Sequence, residues 1–314
     1  MIKFNVSKLN LKSGERFYKN LTSWQKILIV LIIIMICTYF LTPKNTIIEP
    51  FSETADYKIY NNEEIYDTFY STIYDDLVKS DIKNLFEMEL IKKKTTYGQK
   101  SIILDVGSGT GHHVKLLTDA KATAIGVDKS PNMIKEANKR YPKLDFREGD
   151  IMNSMMFQDS VFTHITCLYF TIYYFKNKNL FLQNCFKWLV PNGYLVLHLV
   201  DKFKFDPIVS SGDPFTMVNP QNYADKRITN AVVKFDKFKY TSDFKLKEND
   251  ITEFEEKFVF TGGKARVNKH TLYMPKQTQI ISMAKNIGFI LHAKIDMKEC
   301  GWDDQYIYIL QKPN

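Results

Sequence analysis

The 314-residue chain has only four cysteines, Cys37, Cys167, Cys185 and Cys300, with no Cys-x-x-Cys pair and no paired spacing. That excludes zinc-ribbon and disulfide-framework folds. Cys167 and Cys185 fall in segments that read as buried strand and helix, which points to a reduced compartment. No metal-binding acidic cluster stands out, so no metal is expected. Internal repeats and low-complexity tracts are also absent. So is a strong charge of one sign outside the N-terminus: the net charge is +8, but in residues 1–26 six basic side chains face Glu15 alone, a local excess of +5. The remaining +3 gives little electrostatic reason for a polyanionic partner, and nucleic acid is not expected. A hydrophobic content of 45% allows a full core and argues against disorder. The length fits one large domain with appendages, or at most two domains.

One long apolar run is present, Ile27 to Leu41, without charge, Gly or Pro. At about 1.5 Å per residue it spans roughly 22 Å, short of the roughly 30 Å of bilayer hydrocarbon. Extending it back through Trp24 to Leu21, with Lys26 snorkelling, closes that gap. No small-x-small cleavage pattern follows, which disfavours a signal peptide. The expectation is an uncleaved transmembrane helix at 26–42, a single-pass anchor with the lipid bilayer as partner. The basic residues before the run place the N-terminus in the cytoplasm and would export the rest; sidedness stays open.

Around this run the chain divides into a basic tail (1–25), the expected span, a linker with Pro43 and Pro50 (43–56), and one domain over 57–314. Apolar residues at helical spacing from Ile65 to Ile91 predict two amphipathic helices. After Gly98 strands and helices alternate, which argues for a parallel sheet covered on both faces. Strands are predicted at 102–106, 122–127, 144–148, 161–169 and 194–200, with a helix capped by Ser130 and led by Pro131. Residues 201–234 read as loop. Alternation at 237–246, 252–260 and 265–274 predicts an antiparallel meander, making 201–275 an insertion that covers the substrate. A helix ends at Gly288, and two strands close the chain.

The chemistry lies in Leu104-Asp-Val-Gly-Ser-Gly-Thr-Gly111, at a strand-to-helix turn. Glycines there let the backbone turn sharply and approach a ligand. A dinucleotide fingerprint wants GxGxxG and offers a helix N-terminus to pyrophosphate. Here the third glycine comes one residue early and Asp105 precedes the first. A carboxylate at that place repels diphosphate and suits a cationic amino-acid moiety, which disfavours a nicotinamide reductase. Asp128 ends the next strand, where a carboxylate can hold ribose hydroxyls, and Asp150 ends the third, within reach of an adenine amino group.

At these residues the chain resembles the class I, Rossmann-like, S-adenosylmethionine-dependent methyltransferases, over about 100–200 and again at 276–312. LDVGSGTG is similar to the family's first motif, GVDKSPNMIKEA to its second and REGD to its third. The resemblance implies an α/β fold, a seven-stranded Rossmann-like sheet with an antiparallel insertion after strand five, here preceded by the expected transmembrane helix. It implies S-adenosyl-L-methionine as cofactor. Asp105, Gly107, Ser108, Gly109 and Gly111 would line its methionine and ribose part. Asp128 would bind ribose, Met133 would pack near adenine, Asp150 and Ile151 would read the adenine edge, and Leu168 and Tyr169 would flank the methyl donor. The implied activity is membrane-anchored methyl transfer to nitrogen or oxygen of a small molecule; a catalytically inactive membrane scaffold is the alternative.

A base is needed only if the acceptor must lose a proton. His198 and Asp201, closing the fifth strand, and His270 in the meander are the candidates. Each has a plainer reading, as core histidine, turn residue and sheet-surface residue. No Asn/Asp-Pro-Pro-Tyr/Phe follows the fourth strand, so amino-base and glutamine methylation are unsupported. The meander is similar to an insertion in small-molecule N-methyltransferases, including amino-sugar enzymes.

Overall fold

A computed structural model describes residues 21–41, 57–208, 221, 224 and 226–314, with the side chains of 35–41 left aside. Most of the expected basic tail and all of the expected linker lie outside the described residues. The chain divides into two compact units, 1–54 and 55–314.

In the first unit, α1 runs from Ser23 to Leu41. Its start is set by polar groups: the Thr22 amide donates to Gln25 Oε1 at 2.9 Å, and the Gln25 amide to Thr22 Oγ1 at 3.4 Å. The helix therefore does not reach back to Leu21, and its first turn holds Gln25 and Lys26. Its uncharged part, Ile27–Leu41, covers only about 22 Å against roughly 30 Å of hydrocarbon. Among the described residues no helix is long and apolar enough to cross a membrane. The transmembrane helix at 26–42, the membrane anchoring and the bilayer as partner are corrected accordingly.

In the second unit the elements run β1 (Tyr57–Asn61), a 3-10 turn (Asn62–Ile65), α2 (Thr68–Val78), α3 (Asp81–Thr95), β2 (Ile102–Val106), α4 (His112–Asp119), β3 (Thr123–Asp128), α5 (Pro131–Arg140), β4 (Asp145–Glu148) and β5 (Phe162–Cys167). Then follow α6 (Thr171–Tyr174), α7 (Lys178–Trp188), β6 (Leu189–Val200), β7 (Asn230–Lys234), β8 (Phe238–Leu246), β9 (Ile251–Phe260), β10 (Ala265–Tyr273), α8 (Gln277–Ile287), β11 (Ile290–Asp296) and β12 (Gln305–Gln311).

Seven strands form one sheet in the order β11-β12-β6-β5-β2-β3-β4. β2 to β6 run parallel, and β12 lies antiparallel between β6 and β11. The β2 sequence IILDV is a continuous apolar run with one acid because both faces of this central strand are covered, and Leu104 pairs with Ile125 on one side and Ile165 on the other. Two apolar clusters sandwich the sheet, one around Trp188, Phe181 and Leu197, the other around Val114, Ile103 and Ile307.

The helix boundaries follow their caps. The Ser130 hydroxyl accepts the Met133 amide at 3.2 Å with Pro131 at the first position of α5, and Gly288 ends α8 at φ +121°. The strand order reverses between β2 and β5. A crevice opens there at the carboxyl ends of the strands, the position where open α/β sheets take their ligands.

A second sheet has more strands than the three the sequence predicts. Its five strands are ordered β1-β10-β9-β8-β7, of which β1 comes from before the main sheet and pairs parallel with β10. β7 lies in a stretch expected to be loop. Both are outer strands whose register is supplied by a partner. A third apolar cluster joins this sheet to α2 through Tyr70, Leu77, Tyr240 and Phe258.

Candidate functional site

The glycine turn after β2 is tied to β3: the amides of Gly107 and Ser108 both donate to the Val127 carbonyl, at 2.8 and 3.0 Å. Gly107, Gly109 and Gly111 all have positive φ, +67°, +52° and +87°. Their surroundings differ. A Cβ on Gly107 would meet Thr171 at 2.5 Å, and one on Gly111 would meet Phe146 at 2.5 Å. One on Gly109 would have only Tyr74 for a neighbour, at 4.0 Å. Gly107 and Gly111 are thus glycine for packing as well as conformation, whereas Gly109 faces open space.

That space is a cavity of about 910 Å³ lined by the strand tips, by α2 and by the five-stranded sheet. Of the residues the sequence selects, Gly107, Gly109, Asp128, Met133, Asp150, Ile151, Tyr169 and His270 stand on its wall. Asp105, Ser108, Gly111, Leu168, His198 and Asp201 do not.

The three strand-tip carboxylates are treated differently. Asp128 accepts the Gly109 amide at 2.9 Å and the Ser130 amide at 2.8 Å; burial raises its pKa against those bonds. Asp150 sits at the mouth, accepting the Met152 amide and pairing with Lys129 at 2.9 Å. Burial acts to raise its pKa, but the Met152 amide and Lys129 bring it below the ordinary value. Asp105 is turned inward, accepting the Thr166 hydroxyl from β5 at 2.7 Å, and is buried enough that desolvation raises its pKa. It stands behind the glycine turn rather than on the cavity wall.

Tyr169, just past β5, is a non-glycine residue at φ +51°. Such a conformation is sparsely populated and needs surrounding support. Its hydroxyl donates to Asn84 Oδ1 at 2.7 Å, and the Lys83 ammonium lies 3.8 Å from its ring centroid. Lys83 is itself fully buried and paired with buried Glu87, one helical turn on. Next to this pair His198 is 1% exposed, with its pKa pushed down by burial to about 3. That position makes it a neutral core histidine. Asp201 starts the turn after β6, where its side chain accepts the Phe203 amide.

Three features escaped the sequence reading. Tyr66, Tyr70 and Tyr74 recur every fourth residue and line the cavity from the N-terminal side. The apolar repeat on the neighbouring face of α2 masked them. Asp75 on the same helix accepts the Thr110 hydroxyl at 2.6 Å and contacts His112 at 2.9 Å and Arg140, clamping α2 over the glycine turn. Glu256 on β9 is fully buried, contacts His270 Nε2 at 2.8 Å and accepts from Asn268 at 3.1 Å and Tyr240 at 2.9 Å. The alternation of β9 marks Glu256 as inward, but only the fold shows that inward means cavity.

The residues fit S-adenosylmethionine. The Gly109 face leaves room for a ligand, the Asp128 carboxylate lies beside it, and Met133 and Ile151 supply apolar flanks. Carboxylates at the strand tips disfavour a diphosphate and tolerate a sulfonium.

Comparison with known proteins agrees. Residues 104–197 match the methyltransferase domain family. The phosphoethanolamine N-methyltransferase of Plasmodium falciparum is 29% identical over 106 residues, 32% of this chain and 39% of that protein. A dTDP-4-amino-2,3,4,6-tetradeoxy-D-glucose N,N-dimethyltransferase of Saccharopolyspora spinosa is 25% identical over 223 residues, 68% of this chain and 85% of that protein. The chain spans about two fifths of the length of the first curated relatives it matches. An amino pentose methyltransferase of Micromonospora echinaspora, solved with S-adenosylmethionine bound, superposes with a TM-score of 0.57 at 18% identity, over 80% of this chain and 99% of that one, a likeness of fold. Residues 104–197 thus match a methyltransferase domain, set in a Rossmann-like fold. The cofactor of that domain is S-adenosylmethionine.

Proposed function

We propose that this chain transfers a methyl group from S-adenosylmethionine to nitrogen or oxygen of a small-molecule acceptor. One observation carries the reading: the glycine turn and Asp128 share a single 910 Å³ cavity with the aromatic and polar inner face of the second sheet. Such a cavity is large enough for a cofactor and a small second substrate side by side. The Asp128 carboxylate would take the ribose hydroxyls, Gly109 would let the nucleoside approach, and Met133 and Ile151 would enclose the base with Asp150 at its edge. Tyr169, propped by Asn84, would form the wall beside the reacting centre. Asp105, Gly111 and Leu168 would act from behind, by holding the turn and the strand tips in place.

When bound, the cofactor supplies a methyl group on sulfonium sulfur, already activated for displacement. What the protein must add is chiefly alignment, for which ideal placement is worth up to about 7–11 kcal/mol. The five-stranded sheet and α2 close the cavity from the side opposite the strand tips, so they would both hold the acceptor and exclude water. Of the three candidate bases only His270 is on the wall, and it is the one retained. The amino-sugar and phosphoethanolamine relatives support a small, polar acceptor.

The test is incubation of the protein with a small-molecule extract and isotopically methyl-labelled cofactor. A labelled product of low mass, absent with Asp128→Ala, is expected. Cofactor binding without transfer to any small molecule would contradict the reading.

A further inference from the structure

The acceptor side of the cavity contains a hydrogen-bonded chain that methyl transfer by alignment alone does not require. The Tyr66 hydroxyl donates to that of Tyr174 at 3.0 Å. The Tyr174 hydroxyl lies 2.8 Å from His270 Nδ1, and His270 Nε2 lies 2.8 Å from Glu256 Oε2. Glu256 is fully buried, yet the bonds from His270 and Asn268 outweigh its burial and lower its pKa, so it is a carboxylate. A carboxylate only accepts, which makes Nε2 the protonated nitrogen and leaves Nδ1 to accept from Tyr174. Every donor then points the same way, from the cavity toward Glu256.

Burial pushes the hydroxyls of Tyr66 and Tyr174 well above the ordinary phenol range. Neither tyrosine is itself a base, but each can pass a proton inward. The groups facing His270 are Glu256, the rings of Tyr66, Tyr70 and Tyr174, and Phe254. Glu256 is the only charged one among them, so nothing there opposes a positive imidazole.

The wall is also strongly acidic. Among the described residues seven carboxylates line the cavity, against the two ammonium groups of Lys129 and Lys176. Lys129 is already held by Glu63 and Asp150. Such a surface, with its tyrosine faces, favours a cationic group on the acceptor.

Resting on the methyl-transfer reading, we infer that the acceptor is an amine that enters as its ammonium ion, and that the Tyr66–Tyr174–His270 chain removes its proton. The ammonium N–H bond breaks as its proton passes to a tyrosine oxygen, the Tyr174 proton moves to His270 Nδ1, and an imidazolium forms against Glu256. The freed nitrogen lone pair then forms the N–C bond to the methyl group as its bond to sulfur breaks, with the electron pair leaving on sulfur. Glu256 is a positioning residue, fixing the tautomer and holding the resulting charge. An alkylammonium is about five pK units more acidic than a water-like hydroxyl, so it gives up its proton to a neutral base far more readily. The chain is therefore matched to nitrogen.

Two measurements test this. Nitrogen NMR of the ligand-free protein labelled at histidine should show His270 with a protonated Nε2 and an unprotonated Nδ1, the latter shifted by Tyr174→Phe. A protonated Nδ1 at neutral pH in the neutral ring would overturn the inference. Second, Tyr174→Phe, which keeps the ring, should lower methyl transfer near pH 7 by at least about 100-fold and recover toward pH 10 as the amine loses its proton unaided. Cofactor affinity should stay unchanged. A loss that is the same at every pH, or labelled methyl on oxygen while the cofactor still binds, would overturn the inference and leave the methyl-transfer reading standing. Failure to bind the cofactor at all would remove both.

Discussion

Replacing two glycines of the same turn by alanine should separate binding from folding. At Gly109, φ is +52° and the added methyl enters open space. Only the left-handed conformation is penalised, by about 1–2 kcal/mol for a residue with a Cβ. At Gly111 the same conformational cost applies at φ +87°, and the methyl also overlaps the Phe146 ring at 2.5 Å. Overpacking of that kind adds about 1–3 kcal/mol, so the total is roughly 2–5 kcal/mol. At about 2–4 °C per kcal/mol for a domain of this size, Gly109→Ala should melt a few degrees low and Gly111→Ala clearly lower. Cofactor affinity should rank the other way in significance. Gly109→Ala fills ligand space and should weaken S-adenosylmethionine binding at least about tenfold, or ~1.4 kcal/mol, in a protein that remains folded. Thermal melting and calorimetric titration on the two variants give both numbers. A folded Gly109→Ala protein that binds like wild type would refute the assignment of the cofactor to this face. A Gly111→Ala protein as stable as wild type would refute the packing argument.

Glu87→Gln strands Lys83 in the core and should cost about 3–5 kcal/mol in urea unfolding, whereas the double change Lys83→Met with Glu87→Leu should lie near wild type; equal losses would show the ion pair is not the issue. Glu87 also carries a pH signature. Burial acts to raise its pKa, but Lys83 and the His113 ring 3.4 Å away bring it down to about 2, so its contribution is complete above about pH 4.3 and is lost as pH falls toward 2. The stability of Glu87→Gln should therefore fall less steeply across that window. Asp75→Asn should loosen the clamp between α2 and the glycine turn. The expected result is weaker cofactor binding with a smaller change in melting temperature, and proteolysis within residues 62–80 should accelerate; unchanged protection there would contradict a clamping role.

Much of this architecture is legible in the sequence because it rests on local signals. The apolar run with one acid at 102–106, the glycines after it and the Ser130-Pro131 cap report short-range requirements, and each is found where the pattern places it. What the sequence conceals depends on neighbours. β1 and β7 are short outer strands that pair only because β10 and β8 present an edge, and neither has enough alternation of its own. Asp105 reads as a ligand group by position, yet Thr166, some sixty residues away on β5, turns it inward. Tyr70 and Tyr74 share α2 with an equally regular apolar stripe and Tyr66 lies just before that helix, so the second stripe is visible only once the cavity is known. The membrane expectation failed differently. Hydropathy outweighed length there, and the Thr22–Gln25 bonds start the helix too late to supply the missing rise.

The most direct measurement is calorimetric titration of the purified protein with S-adenosylmethionine and S-adenosylhomocysteine, beside Asp128→Ala. Saturable binding of both ligands to one site per chain is predicted, weakened at least about tenfold by the substitution. No heat from either ligand at millimolar concentration, or equal binding by the variant, would contradict a nucleoside pocket built around the glycine turn and Asp128.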